Sequence, residues 1–189
     1  VGTEKGWKYL AKAKLPAMFY VSKLDEEHAN FFGVLQSLRD TFGASVVPLT
    51  FPILKGEQAV GVADLVTKKA YDANGKEIPL PADANDKIEE YMAELNEQVA
   101  ETDEALMEKF FMEEPFTAEE LQTGIKAGIR DRSVTPVFCG CAYTGLGTTN
   151  LLANIVKYAP NPLEGKPMTQ VDEEGNESEF KLDPNGSPM

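Results

Sequence analysis

Two short segments of polar or small residues follow directly after two runs of the sequence that are typical of buried strands. The segment Ser22-Lys-Leu-Asp25 follows the run from Ala17 to Val21, and Gly140-Cys-Ala142 follows the run from Ser133 to Cys139. Runs of this length and composition predict buried β-strands. Because ligands of open α/β sheets bind at the carboxyl ends of the strands, we expect these two segments to carry the chemistry.

A lysine and an aspartate separated by one residue offer the groups that guanine requires. The two oxygens of the Asp25 carboxylate can accept from the ring N–H and the exocyclic amino group of guanine, a donor pair that adenine lacks. The stem of Lys23 can lie along the purine face, and the backbone N–H of Ala142 can donate to the guanine carbonyl oxygen. Alone, the Lys-x-Asp pattern is a weak signal, because a solvated charged turn has the same composition.

Helices alternate with the two apolar strands, which indicates the α/β class. Helix signals include apolar residues at helical spacing, a stop at Gly43, and a capping box at Thr117-Ala-Glu-Glu120. The predicted helices of this part of the chain cover residues 3–14, 30–42, 117–130 and 148–158.

The segment between residues 46 and 132 does not continue this alternation. Extended runs at 46–53 and 60–66 are followed by Asn74-Gly75, the dipeptide that best accepts a tight hairpin turn. A single long amphipathic helix is predicted from Asp86 to Met112. The pattern therefore predicts a small α+β piece inserted into the α/β fold.

The net charge of −13 is concentrated in two segments. Asn85 to Glu120 contains 13 acidic and two basic residues, and the tail from Glu164 contains seven acidic and two basic residues, which leaves +3 for the rest. The hydrophobic share of 42% argues against a disordered chain, and no apolar run is long enough to span a membrane. We expect no membrane contact and no direct nucleic-acid binding from this segment, since phosphate recognition needs a basic surface.

Six glutamates repeat at intervals of three and four along the predicted long helix, and we call this set the acidic ridge: Glu90, Glu94, Glu97, Glu101, Glu104 and Glu108. The set has two interpretations. A solvated helix face is the usual outcome of such charge. A docking surface for a basic partner is the alternative, because like charges at this spacing cost helix stability.

Several other residues have simpler interpretations. Cys139 and Cys141 are too close in sequence for an ordinary disulfide and indicate reduced thiols in a cytoplasmic protein. His28, the one histidine of the sequence, is interpreted as a solvated turn residue, and we expect no metal site. Two matches to a D-x-x-G switch pattern, beginning at Asp72 and Asp172, are interpreted as turns.

Read in order, the sequence resembles bacterial elongation factor G over nearly its whole length. The segments that carry the resemblance are Thr3 to Asp25 with Phe31, Val46 to Leu49, Gly61 to Leu65, Ala100 to Lys109, and Pro136 to Ala142. The resemblance implies the C-terminal half of a P-loop GTPase-type sheet with an inserted α+β subdomain. It also implies the following organisation: GTP-binding domain at 1–45 and 133–163, inserted subdomain at 46–132, and an acidic linker at 164–189.

The same resemblance implies roles for the two polar segments. Lys23, Asp25 and Ala142 match guanine-contacting positions of the family, and Ser22, Gly140 and Cys141 lie in the same turns. Ser22 stands where the family usually has Asn, and Cys141 where it usually has Ser. These departures would weaken nucleotide contacts and favour a divergent paralogue.

The sequence contains no G-x-x-x-x-G-K-[ST] phosphate loop, and it does not begin with Met. We therefore expect a piece of a longer protein. The resemblance implies that the longer protein uses GTP or GDP with Mg²⁺, drives ribosomal translocation, and lies in the cytoplasm. This piece alone should not hydrolyse GTP or bind the nucleotide tightly. The resemblance also implies that the acidic ridge meets the ribosomal stalk protein. The alternatives are a protein-interaction module with a degraded nucleotide site, and a ribosome-protection or release-factor relative.

Overall fold

The computed structural model describes residues 2–161, 163–164 and 168–180, and the chain divides into two compact units, 1–159 and 160–189. The six helices of the described residues are α1 (Gly2–Ala13), α2 (Phe31–Phe42), α3 (Ala82–Ala100), α4 (Glu104–Phe111), α5 (Ala118–Asp131) and α6 (Thr148–Tyr158). The strands of the first unit are β1 (Phe19–Val21), β2 (Val46–Pro48), β3 (Thr50–Lys55), β4 (Gln58–Asp64), β5 (Lys69–Tyr71), β6 (Glu77–Ile78) and β7 (Thr135–Cys139).

A parallel sheet with the order β1-β7-β2 forms the centre of the first unit. All five residues of β7 are buried, as its mainly apolar sequence predicts for a central parallel strand. Helix α2 connects β1 to β2, and the side chain of its N-cap residue, Asn30, accepts from the backbone N–H of Gly33 at 3.0 Å. The predicted α/β class is confirmed.

A four-stranded antiparallel sheet, β3-β4-β5-β6, lies between β2 and β7 in the chain. Gly75 adopts a φ of 74° in the turn between β5 and β6, which an L-residue rarely adopts, so the predicted hairpin turn is confirmed. Helix α3 buries one face, and the rings of Phe51 and Tyr91 meet edge to face at 5.7 Å. This sheet and its helix form the predicted small α+β piece. The domain boundaries inferred from the sequence stay a prediction.

The prediction of one helix from Asp86 to Met112 is wrong. Helix α3 begins earlier, at Ala82, and ends at Ala100, and a second helix, α4, begins after Asp103. Asp103 has extended backbone angles, and its carboxylate accepts from the N–H of Ala105 at 2.9 Å, so it caps a new helix. The helical spacing of apolar residues continues across this break, which explains why periodicity alone did not show it.

The remaining helices agree with the sequence signals. Both hydrogen bonds of the predicted capping box join Thr117 and Glu120 at the start of α5, and α6 covers the predicted 148–158. None of the described helices combines the length and apolar character needed to cross a membrane.

Among the described residues of the second unit, β8 (Met168–Val171) and β9 (Glu177–Phe180) form an antiparallel hairpin. At its turn, the Asp172 carboxylate accepts from the backbone N–H groups of Glu174 and Asn176, so the D-x-x-G match here is a turn. The interpretation of 164–189 as a linker did not include this hairpin, and residues 181–189 lie outside the described part of the chain.

Candidate functional site

The structure brings the two polar segments together at one end of the parallel sheet. Strands β1 and β7 are neighbours, with Val21 opposite Cys139. Beyond this pair, the N–H of Gly140 donates to the carbonyl of Val21 at 3.0 Å, and the N–H of Leu24 donates to the carbonyl of Gly140 at 3.4 Å. The segments that sequence analysis selected therefore form one surface, which we call the paired loops (residues 22–25 and 140–147).

The first of the paired loops is anchored by a buried residue between two exposed charges. Leu24 is buried, whereas Lys23 and Asp25 on either side of it are exposed, as is Ser22. Lys23 has a φ of 63°, and a non-glycine residue in this region costs about 1 kcal/mol. The Lys23 ammonium lies 3.6 Å from the Glu26 carboxylate, a contact between two largely exposed side chains. Both charged groups are thus presented to solvent, where a ligand can reach them.

The second loop is held mainly by its backbone. The N–H of Cys141 donates to the carbonyl of Leu146 at 2.9 Å and closes a short turn, with Cys141 itself buried and Ala142 exposed. A Cβ on Gly140 would lie only 2.2 Å from the Leu146 carbonyl oxygen, so no side chain fits there.

Gly147 shapes the second of the paired loops, and sequence reasoning missed it. Its φ is 73°, and a Cβ would lie 2.3 Å from the carbonyl oxygen of Cys139, the last residue of β7. It also forms the N-cap of α6. A glycine immediately before a predicted helix, two residues after Gly145, was the signal available in the sequence.

The two thiols near the paired loops have packing roles. Complete burial raises the pKa of Cys139 to about 12, so it stays a neutral thiol, and its Sγ accepts from the Thr50 hydroxyl at 3.8 Å. Burial also raises the pKa of Tyr20, with smaller contributions from Cys139 and Cys141, while a hydrogen bond with Thr148 opposes the change.

The acidic ridge is divided between two helices. Glu90, Glu94 and Glu97 lie on α3, Glu101 is its C-cap, and Glu104 and Glu108 lie on α4. Glu94 is half-buried and forms an ion pair with Arg39 of α2. The other five members are exposed.

Beside the acidic ridge lies an apolar surface that the sequence did not indicate. A groove of about 680 Å³ runs between α3 and the end of α4, with Glu94 and Glu97 on its wall. Phe111, which lines the groove, is 76% exposed, and Met112, the C-cap residue of α4, is 69% exposed. Acidic and apolar groups are therefore presented side by side.

The remaining sequence interpretations concern single residues. His28 is exposed, with its Nε2 3.7 Å from the Glu27 carboxylate, in agreement with a turn residue. In the hairpin turn, the Asp72 carboxylate accepts from the N–H groups of Asn74 and Lys76, so this D-x-x-G match is also a turn. Within the described residues, no three His, Cys, Asp or Glu side chains converge on a point that could hold a metal ion.

Comparison with curated proteins gives consistent relatives over almost the whole chain. Elongation factor G 2 of Saccharophagus degradans is 34% identical over 183 residues, 93% of this chain. Elongation factor G 2 of Pseudoalteromonas translucida is 34% identical over 188 residues, and elongation factor G of Amoebophilus asiaticus 31% over 187, each covering 95% of the chain. The chain is homologous to a segment of elongation factor G.

The homology concerns part of that protein. The chain spans only 26% to 27% of the length of these elongation factor G relatives. A crystal structure of a protein from Thermus thermophilus matches with a TM-score of 0.79 and 29% identity, over 91% of this chain and 28% of that one. No protein-family profile matches the chain. The relationship to a quarter of elongation factor G agrees with the resemblance in the sequence.

Proposed function

We propose that this chain supplies guanine recognition to a translational GTPase of the elongation factor G type, a protein that uses GTP to drive translocation on the ribosome. The observation that supports the proposal is the pair of backbone hydrogen bonds that joins the two loops at Gly140. The exposed Lys23 and Asp25 flank Leu24, which donates one of these bonds, and the exposed Ala142 follows two residues after Gly140. Asp25 would accept from the guanine donor pair, and the Lys23 stem would lie along the base.

The residues of this chain fit the base of the nucleotide and not its phosphates. The sequence has no phosphate loop, so neither a lysine for the phosphates nor a hydroxyl for Mg²⁺ is supplied from here. When the nucleotide is bound in the full-length protein, Mg²⁺ would neutralise phosphate charge. The task of the paired loops is then to select guanine over other bases.

Calorimetric titration of the full-length protein with GDP and with ADP tests this proposal. We expect GDP to bind and ADP to bind at least about a hundredfold more weakly, because ADP leaves the Asp25 carboxylate without its donor pair. Absence of GDP binding at high micromolar concentration would contradict the proposal. That result would instead favour the interaction module with a degraded site, since Ser22 and Cys141 depart from the family pattern.

We further propose that the acidic ridge docks the ribosomal stalk protein. Five exposed glutamates produce a strongly negative surface, and the exposed Phe111 and Met112 beside it offer apolar contact area. Interfaces combine these two kinds of group, with charge directing approach and apolar burial supplying affinity. Glu94 contributes less to this surface, because it is already paired with Arg39.

A charge-reversal experiment with a matched control tests the docking proposal. Replacing Glu97, Glu101 and Glu104 with Lys is expected to weaken stalk binding at low salt, with a smaller difference at high salt. The control reverses three exposed acids of the second unit, Glu173, Glu174 and Glu177, and so makes the same change in net charge. Equal stalk affinity of the two triple variants would contradict a local docking site.

A further inference from the structure

The antiparallel sheet contacts the second of the paired loops through its hairpin turn. The carbonyl oxygen of Ala73, in the turn between β5 and β6, would lie 3.2 Å from a Cβ on Gly145. A Cβ on Gly75, in the same turn, would lie 3.3 Å from the Thr149 hydroxyl oxygen, in the first turn of α6. Both distances are at or below ordinary van der Waals distance, so no empty space separates the hairpin turn from the second loop and the start of α6.

Two hydrogen bonds hold the same sheet against the other ends of the loop and its helix. The N–H of Cys139, the last residue before the loop, donates to the hydroxyl oxygen of Thr50 in β3 at 3.0 Å. The side-chain amide of Asn154 in α6 donates to the buried carboxylate of Asp64 in β4 at 3.3 Å. The second loop is therefore supported by the inserted sheet before it begins, along its length, and after it ends.

We propose that the hairpin turn of residues 72–76 positions the second of the paired loops, with Gly75 as the positioning residue. The role of this contact in guanine recognition rests on the function proposed above. Gly75 touches no ligand-facing group itself. Because Gly75 has no side chain, it leaves room for Thr149 in the first turn of α6. Thr149 in this position holds the start of α6, and therefore Gly147 before it, where the turn closed by Cys141 and Leu146 can form.

Replacement of Gly75 with Asn tests this role against a matched glycine. Gly56 also lies in a hairpin turn, with a φ of 67° against 74° for Gly75, but a Cβ on Gly56 would meet nothing within 4 Å. Asn tolerates this backbone region better than other side chains, so Gly75→Asn and Gly56→Asn share the same small backbone cost. They differ in the contact with Thr149.

We expect Gly75→Asn to lower GDP affinity of the full-length protein roughly threefold to tenfold, while Gly56→Asn leaves it unchanged. Hydrogen exchange of the Cys141 amide, which is bonded to Leu146, should become about tenfold faster in Gly75→Asn only. Adding Thr149→Ala to Gly75→Asn removes the hydroxyl and methyl groups that the new side chain meets. The double variant should recover most of the GDP affinity and of the exchange protection.

Equal hydrogen exchange at Cys141 in the Gly75 and Gly56 variants would overturn the positioning role, as would a failure of Thr149→Ala to restore protection. These outcomes are separate from the proposed function. A wild-type protein that binds no GDP would contradict guanine recognition, and the exchange comparison would still decide whether the hairpin turn positions the loop.

Discussion

The paired loops and the acidic ridge are built in different ways. In the paired loops, backbone hydrogen bonds and glycines that exclude any Cβ determine the shape, as at Gly140 and Gly147. In the acidic ridge, exposed side chains on two separate helices determine the surface, and the backbone only spaces them. A site of the first kind depends on the exact path of the chain, whereas a site of the second kind depends on charge and tolerates small shifts.

The strongest test of this difference is a single methyl group at Gly147. Gly147→Ala would place a Cβ 2.3 Å from the Cys139 carbonyl oxygen at a φ of 73°, so we expect the free energy of unfolding to fall by at least ~2 kcal/mol. Urea denaturation of the wild-type protein and of Gly147→Ala measures the change.

Gly56→Ala is the control for Gly147→Ala. It has a similar positive φ but open space around it, so its cost should be limited to ~1 kcal/mol of backbone strain. Equal losses in the two variants would mean that close packing does not hold the second loop.

The break within the acidic ridge predicts a smaller effect at Asp103. Asp103→Ala removes the cap of α4 and should lower the free energy of unfolding by ~1 kcal/mol. In a continuous helix the same change would be neutral or stabilising, because Ala is the better helix former. Chemical denaturation therefore distinguishes the two arrangements. A lower free energy of unfolding indicates two separate helices, and an unchanged or higher one indicates a continuous helix. Glu108→Gln, an exposed change on the same helix, should stay within ~0.5 kcal/mol.

The smallest predicted effect is a pH dependence of the free energy of unfolding, caused by one contact between the helices beside the acidic ridge. Hydrogen bonds from Lys109 of α4 and from the Thr117 backbone lower the pKa of Glu120 to about 2, from an ordinary value of 4.5. Because the folded pKa lies below the unfolded one, this contribution to stability is complete above about pH 4.5 and is lost as the pH falls towards 2.

A comparison of denaturation midpoints measures this loss. The difference between wild type and Glu120→Gln should shrink as the pH is lowered through that window. The neighbouring exposed change Glu119→Gln provides the control. A difference between wild type and Glu120→Gln that stays constant down to pH 2 would show that the Lys109 contact contributes nothing.

The parts of this fold that local signals determine were predictable from the sequence. Strands β1 and β7 are mainly apolar runs, and the stop at Gly43 and the capping box at Thr117 specify where one helix ends and another begins. The order of these elements placed Asp25 and Ala142 at the same edge of the sheet.

Features that depend on tertiary contact were not predictable in this way. The close approach of Gly147 to Cys139, and of Gly75 to Thr149, joins residues whose neighbourhood no local pattern reveals. The helix break at Asp103 had a local signal, a capping aspartate, but the apolar spacing across it favoured a continuous helix. From the sequence alone, Phe111 and Met112 are equally compatible with buried helix positions, although the structure exposes both.

The most direct test of guanine recognition is a change of base preference at Asp25. Asp25→Asn replaces one acceptor oxygen with a donor amide, which suits xanthine, where a carbonyl replaces the exocyclic amino group. In the full-length protein, we predict that Asp25→Asn lowers GDP affinity about a hundredfold and makes XDP the preferred ligand, while Glu27→Gln, two residues further along the chain, changes neither. Unchanged GDP affinity in Asp25→Asn would contradict the account.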